Sequence, residues 1–210
     1  MIKLERVEVM NIENAIRGMR NPLNSWDKSD SRYNWNTCSY YIGPNDLALA
    51  RRLVKAGSDH RKFLRQIFVS IDITAPLFWW KEYDTYKVGT VANSCSTMHK
   101  IHSKEFTRED FSVESLEEDA LTTIDTLIVT LNNLRDKYNT TKDKKYWRQM
   151  VEILPSSYNQ KRTCTLSYEN LISIYFARQH HKLYEWHTLC DLIETLPHFK
   201  EICLDGDTDE

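Results

Sequence analysis

The sequence is poor in the residues that interrupt regular structure. It has five glycines and five prolines in 210 residues, and no repeat or low-complexity linker divides it. With 41% hydrophobic residues, the chain can bury one sizeable core. We therefore expect a single domain over residues 1–204. The acidic residues 205–210 are expected to form a disordered tail.

Cysteine is also scarce and follows no pattern. The five cysteines are odd in number, widely spaced and never form a C-x-x-C pair, which argues against a disulfide framework or a zinc site. The N-terminal residues lack the apolar core of a signal peptide, and no apolar run approaches the roughly 20 residues of a membrane span. These absences predict a cytoplasmic protein with reduced thiols and no membrane contact.

Neither sign of charge dominates the chain. Its 28 basic and 30 acidic side chains give a formal net charge of -2, so no nucleic-acid partner is expected and any anionic ligand must be held by a local site. His180, His181 and His187 do not complete a metal site, because adjacent histidines on a helix point in different directions and no cysteine or carboxylate joins them. We expect no bound metal.

Hydrophobic periodicity predicts the α+β class, a small sheet packed with several helices. Residues 67–74 alternate between apolar and polar positions, as in a strand, and Pro76 can open a helix over residues 77–87. The aromatic-rich residues 21–42 lack periodicity and predict an ordered loop that could be a lid. Ser115 with Glu118 resembles a capping box. The other predicted elements are a strand over residues 4–10 and helices over residues 12–19, 46–56, 121–134, 143–154, 167–178 and 182–196.

The junction between the predicted strand and helix carries a family resemblance. The segment IDITAPLFWWKEYDTYKVGTVANSCSTMHK resembles the part of the flavin-dependent thymidylate synthases where a strand runs into an Ala-Pro step, a helix and the signature R-H-R-x-x-S-x-N-x-x-S-x-R-Y. The alignment starts at Ala75-Pro76 and needs one inserted residue. In order, the signature's R-H-R, first Ser, Asn and second Ser fall on Thr85, Tyr86, Lys87, Thr90, Asn93 and Ser96.

Further landmarks of the same family follow in order over roughly residues 45 to 200. A histidine that family members place near the flavin falls on His60, the family's Leu-Pro step falls on Leu154-Pro155, and its downstream arginine falls on Arg178. The predicted last helix before Pro197 matches as well.

The resemblance implies the thymidylate synthase-complementing protein fold with a mostly antiparallel sheet, assembled as a homotetramer. It implies conversion of dUMP to dTMP by reduced FAD, with NADPH and methylenetetrahydrofolate as further cofactors and no protein nucleophile. By the same resemblance, the FAD-binding residues are His60, Thr85, Tyr86, Lys87, Asn93 and Ser173. The residues that bind a pyrimidine nucleotide such as dUMP are Glu82, Thr90, Ser94, Cys95, Ser96 and Arg178.

The departures from the family concern its arginines, which grip phosphate in bidentate fashion and stack on rings. Thr85 and Lys87 replace two signature arginines. Met98 replaces the last one, or Thr97 or His99 does if the insertion is placed differently. Ser167, Glu169 and Ser173 stand where family members carry Asn, Arg and Asn. The sequence therefore predicts a weakened phosphate site or one remade for another ligand.

Three functions are consistent with this pattern. The first is a thymidylate synthase-like enzyme acting on dUMP or a related nucleotide. The second is a catalytically lapsed protein that binds a nucleotide or another small ligand, and the third is a structural subunit that keeps only an oligomer interface.

Single residues also have alternative interpretations at this stage. His60 either lies over a flavin or caps a turn, and residues 94–97 form either a phosphate-binding turn or a plain one. The aromatic residues of the helix after Pro76 either stack on a ligand or belong to a core or interface. Arg178 either contacts a ligand or forms a salt bridge with Glu169 or Glu185.

Overall fold

The computed structural model describes residues 2–205. Four strands form one sheet in the order β1, β4, β6, β5, and β2 pairs with β3 in a separate antiparallel ribbon. The strands are β1 (Lys3–Met10), β2 (Arg32–Asn34), β3 (Ser39–Tyr41), β4 (Phe68–Pro76), β5 (Val91–Ser94) and β6 (Asn159–Ser167). The helices are α1 (Ile12–Gly18), α2 (Pro44–Lys55), α3 (Leu77–Tyr83), α4 (Thr97–Lys100), α5 (Glu118–Thr141), α6 (Lys144–Ile153), α7 (Tyr168–Arg178), α8 (Tyr184–Thr195) and α9 (Phe199–Cys203). The predicted α+β class is confirmed.

The contacts within the chain group its residues into two compact units. Unit A comprises residues 2–5, 72–86 and 92–163, and unit B comprises residues 6–71, 87–91 and 164–205. The single domain over residues 1–204 stays a prediction. The predicted acidic tail lies, from residue 206 onward, outside the described residues.

The core of unit A lies under the helical hairpin of α5 and α6. Phe106, Phe111, Leu131 and Met150 are among its buried residues, and the Tyr158 ring packs against both phenylalanines. Burial of such large apolar side chains stabilises the fold by about 1.5–3 kcal/mol each. The backbone between β5 and α5 is thereby held against the start of β6.

The core of unit B joins α7, α8 and α9 to the beginning of the chain. Ile16, Leu64, Trp186 and Phe199 are completely buried. Ser167 caps α7 in a capping box with Asn170, which satisfies backbone N–H groups at the start of the helix. This cap fixes the first turn of α7, which carries Glu169 and Asn170.

A buried carboxylate organises the aromatic-rich region of unit B. Asp46 is fully buried and accepts hydrogen bonds from Arg20 Nε at 2.5 Å, Ser29 Oγ at 2.7 Å and Ser31 Oγ at 2.6 Å. Residues 21–42 are thus ordered, but they contain 3-10 turns and the β2–β3 ribbon instead of a plain loop. Trp35 is 82% exposed in this region.

Several local predictions are wrong. The helix after Pro76 ends at Tyr83 and not at residue 87, because the Thr85 hydroxyl and amide both donate to the Glu82 carbonyl and close the last turn. Helix α5 begins without a Ser115 cap, since its N-cap is Glu117 and no side chain bonds there. Strands β5 and β6 and helix α9 were not predicted, because their short or polar segments lack clear periodicity.

Candidate functional site

The first candidate site is a cleft in unit B, the His60 cleft. Its volume is about 620 Å³, within the range of about 300–1,000 Å³ that is usual for small-ligand pockets. Apolar walls from helix α1, helix α2 and the 3-10 turns face a polar edge. The walls comprise Met19, Pro22, Leu23, Leu53 and Phe63, and the edge comprises Asn21, Asp59, His60, Lys62 and Gln66.

His60 lies in a tight turn between α2 and the 3-10 helix Lys62–Gln66. Gly57 has a φ of 95°, a conformation that suits glycine, and its carbonyl accepts from the amides of His60 and Arg61 at 3.0 and 3.1 Å. The turn leaves the imidazole exposed at the edge of the cleft. His60 is therefore available to a ligand, as its predicted role requires.

The next residue, Arg61, is held by an ion pair that sequence reasoning missed. Arg61 Nε and Nη2 donate to the two Glu169 carboxylate oxygens at 2.9 and 3.1 Å, and both side chains are mostly buried. Such a bidentate pair has fixed geometry. Glu169, at the position where the family resemblance implies arginine, thus binds an arginine of the His60 turn.

The segment that contains Lys87 and Thr90 is tied to the same helix. Asn170 Nδ2 donates to the Val88 carbonyl at 2.7 Å, and Gly89, with a φ of 75°, lies close to the Asn170 side chain. Lys87 is exposed and Thr90 is half-buried. The S-x-x-N pattern at residues 167–170 is typical of a helix cap, so the sequence could have predicted the position of Asn170 in the first turn of α7.

Two further predicted residues lie on α7. The Ser173 hydroxyl donates to the Glu169 carbonyl of its own helix at 3.1 Å. The Arg178 guanidinium lies 4.9 Å from the centre of the Trp186 ring, a cation–π contact in the last turn of the helix. Glu169, one of the two alternative partners considered for Arg178, is paired with Arg61.

In unit A, the predicted residues of α3 separate into core and surface. Trp79, Trp80 and Tyr83 are buried, and Trp80 Nε1 donates to the Gln160 carbonyl at 2.9 Å, so these three rings belong to the core. Glu82 and Tyr86 are half-buried, whereas Thr85 is exposed. The ring-stacking alternative is therefore wrong for the three buried side chains.

The second candidate site is a pocket of about 430 Å³ in unit A, the Lys100 pocket. Asn93 and Ser94 lie on exposed strand β5, and Cys95 and Ser96, which line the pocket, follow it. The Cys95 amide donates to the Lys161 carbonyl at 2.9 Å. Ser96 caps α4 by accepting from the His99 amide at 3.0 Å. The remaining lining residues are Thr74, Thr97, Lys100, Ile101, Ser103, Lys104, Phe106, Glu109, Asp110, Tyr158, Asn159, Gln160 and Lys161.

Two further properties concern the whole described chain. Within residues 2–205, no group of three or more histidine, cysteine, aspartate or glutamate side chains is arranged to hold a metal ion. No helix in the same range combines the length and apolar character needed to cross a bilayer.

Comparison with known proteins identifies the fold through solved structures and not through sequence. No protein-family model and no curated protein matches the sequence. Thymidylate synthase X from Helicobacter pylori, solved with FAD and dUMP, is 15% identical and superposes with a TM-score of 0.69 over 100% of both chains. The fold is that of a flavin-dependent thymidylate synthase.

Other solved structures agree with this assignment. A second structure of the Helicobacter pylori flavin-dependent enzyme, complexed with FAD and dUMP, gives a TM-score of 0.66 at 16% identity, covering 96% of this chain and 98% of that one. The UMP/dUMP methylase PolB from Streptomyces cacaoi, bound with 5-Br dUMP, gives 0.60 at 14% identity, covering 93% and 89%. The predicted thymidylate synthase-like fold is confirmed.

Proposed function

We propose that this protein is a flavin-dependent enzyme that transfers a one-carbon unit to dUMP or a related pyrimidine nucleotide. The observation that carries the proposal is the full-length match to an enzyme solved with FAD and dUMP. The His60 cleft adds support, because its apolar walls and polar edge fit a planar, hydrogen-bonding ring such as the isoalloxazine of FAD.

The chain's own residues would bind and orient the reactants, which is the usual role of protein in cofactor enzymes. By the family resemblance, the proposed FAD contacts are His60, Thr85, Tyr86, Lys87 and Asn93. Bound FAD would supply the hydride chemistry. NADPH, methylenetetrahydrofolate, a homotetrameric assembly and a cytoplasmic location complete the proposal.

The remaining site assignments follow the family resemblance. Ser173 is proposed to contact the cofactor, although its hydroxyl already bonds its own helix. The proposed nucleotide contacts are Glu82, Thr90, Ser94, Cys95, Ser96 and Arg178.

The first experiment is an absorption spectrum of the purified protein, followed by FAD titration. We expect flavin bands in the spectrum and saturable binding in the titration. The His60→Ala variant should bind FAD about 10-fold more weakly, the loss expected for one polar contact. The His180→Ala variant, which alters an exposed histidine outside the cleft, should bind FAD like the wild type. A colourless protein that does not bind FAD would refute the proposal.

A second assay separates an active enzyme from a lapsed one. The Arg61–Glu169 pair favours the lapsed alternative, since the position where the family resemblance implies an arginine is occupied by a carboxylate that is already paired with Arg61. Incubation with dUMP, methylenetetrahydrofolate and NADPH should yield dTMP if the proposal is correct. Binding of FAD and dUMP without product would instead identify a nucleotide-binding protein that has lost catalysis.

A further inference from the structure

The Lys100 pocket contains three lysines, but two of them are already neutralised. Lys104 forms an ion pair with Asp110, and Lys161 Nζ lies 3.1 Å from Asp72 Oδ2 and 3.4 Å from Glu5 Oε2. Within residues 2–205, Lys100 has no such carboxylate partner. Its ammonium group is therefore the cation of this pocket that remains available to a ligand.

Two hydroxyl groups in the same lining are also uncommitted. The hydroxyls of Thr97 and Tyr158 make no hydrogen bond to any part of the chain that the structure describes. Burial, with smaller contributions from Asp110 and Cys95, raises the pKa of Tyr158, so its hydroxyl keeps its proton and can donate. Ser96, by contrast, is engaged with His99 and is not free to donate in the same way.

Lys100 lies close in sequence to a position where the family resemblance implies an arginine. The signature's last arginine corresponds to Met98, which is 49% exposed, and Lys100 follows two residues later. Trp147 Nε1 donates to the Met98 carbonyl at 2.9 Å and so ties α4 to α6 within unit A. The backbone that carries Lys100 is therefore anchored independently of a ligand.

We propose that Lys100, with the hydroxyls of Thr97 and Tyr158, binds the phosphate monoester of the substrate nucleotide in this pocket. An ammonium group and two hydroxyl donors suit a tetrahedral oxyanion, because charge-assisted hydrogen bonds are stronger than neutral ones. The identity of the nucleoside rests on the proposed function, whereas the phosphate site rests on the pocket alone.

A lining carboxylate restricts the charge of the ligand. Glu109 is exposed, lines the pocket and has no ion-pair partner within residues 2–205. A second or third phosphate group would bring further negative charge close to this carboxylate, and the repulsion would weaken binding. The pocket should therefore prefer a monophosphate such as dUMP to a triphosphate such as dUTP.

Calorimetric titration of the full-length protein tests the proposal. Lys100→Met should weaken dUMP binding about 10-fold or more, the usual loss for one charge-assisted contact. Lys144→Met removes an exposed lysine of α6 and should change binding less than about 2-fold. Deoxyuridine, which lacks the phosphate, should bind weakly and equally to the wild type and to Lys100→Met. Inorganic phosphate should compete with dUMP in the wild type.

The outcomes distinguish this proposal from the proposed function. Lys100→Met should bind FAD like the wild type, and Thr97→Val with Tyr158→Phe should weaken dUMP binding without unfolding the protein. Loss of dUMP affinity in Lys100→Met would support the phosphate site even if the protein bound no FAD. Equal dUMP affinity in Lys100→Met and Lys144→Met, or no binding of dUMP by the wild type, would overturn it.

Discussion

At the scale of single residues, the Arg61–Glu169 pair links the His60 turn to the first turn of α7. We predict that Glu169→Gln lowers the free energy of unfolding by about 1–3 kcal/mol, because it leaves a mostly buried guanidinium without its bidentate partner. Urea denaturation at neutral pH measures this change. Glu152→Gln breaks the exposed Arg148–Glu152 pair and should cost less than about 1 kcal/mol. Equal effects in the two variants would contradict the prediction.

The same pair shows what sequence reasoning could not reach. Arg61 and Glu169 are 108 positions apart, so no local sequence pattern connects them. The sequence alone showed only that Glu169 stands where the family resemblance implies an arginine. His60, by comparison, could be predicted to lie near a ligand because its spacing from Ala75-Pro76 follows the family resemblance, and in the structure it lines the His60 cleft.

At the scale of secondary-structure elements, Asp46 fastens the segment before α2 to the start of that helix. Burial raises the pKa of Asp46, but hydrogen bonds from Ser31 and Ser29 and the Arg20 ion pair outweigh it and lower the pKa below its ordinary value of 3.8. A lowered folded-state pKa stabilises the protein above the unfolded value, and this contribution is lost as the pH falls through the folded value.

We predict that Asp46→Asn lowers the free energy of unfolding by at least about 2 kcal/mol at pH 7. Its difference from the wild type should shrink as the pH falls below 3.8. Thermal unfolding followed over a pH series tests this dependence. Asp191→Asn, at an exposed aspartate outside the network, should change stability by no more than about 0.5 kcal/mol. A pH-independent loss in Asp46→Asn would contradict the linkage.

Elements with strong periodicity were predictable, and those defined by pairing were not. The strand at β4 and the helices α2, α6 and α8 correspond to predicted segments because one face of each is apolar. Strand β6 has the sequence NQKRTCTLS, whose polar residues give no clear strand signal before its neighbours in the sheet are known. Helix α3 was predicted too long because the Thr85 contact that ends it depends on side-chain conformation.

At the scale of the whole molecule, burial divides the five cysteines into two classes. Cys38 and Cys95 are exposed, whereas Cys164, Cys190 and Cys203 are buried. Burial raises the pKa of Cys190 to about 11 and that of Cys203 to about 12, which suppresses their thiolate forms. A thiol-specific reagent at pH 8 should therefore label two cysteines rapidly in the native protein and all five after denaturation. Rapid labelling of a third thiol before unfolding would contradict the described burial.

Five of the six tryptophans fall into two classes of intrinsic fluorophore, and the sixth, Trp147, is half-buried. Trp79, Trp80 and Trp186 are at most 1% exposed, whereas Trp26 is 51% and Trp35 is 82% exposed. A dissolved collisional quencher such as iodide should extinguish the red-shifted emission of the exposed indoles and spare the blue-shifted emission of the buried ones. The fluorescence of a single sample can thus report separately on the exposed residues around the β2–β3 ribbon and on the buried cores.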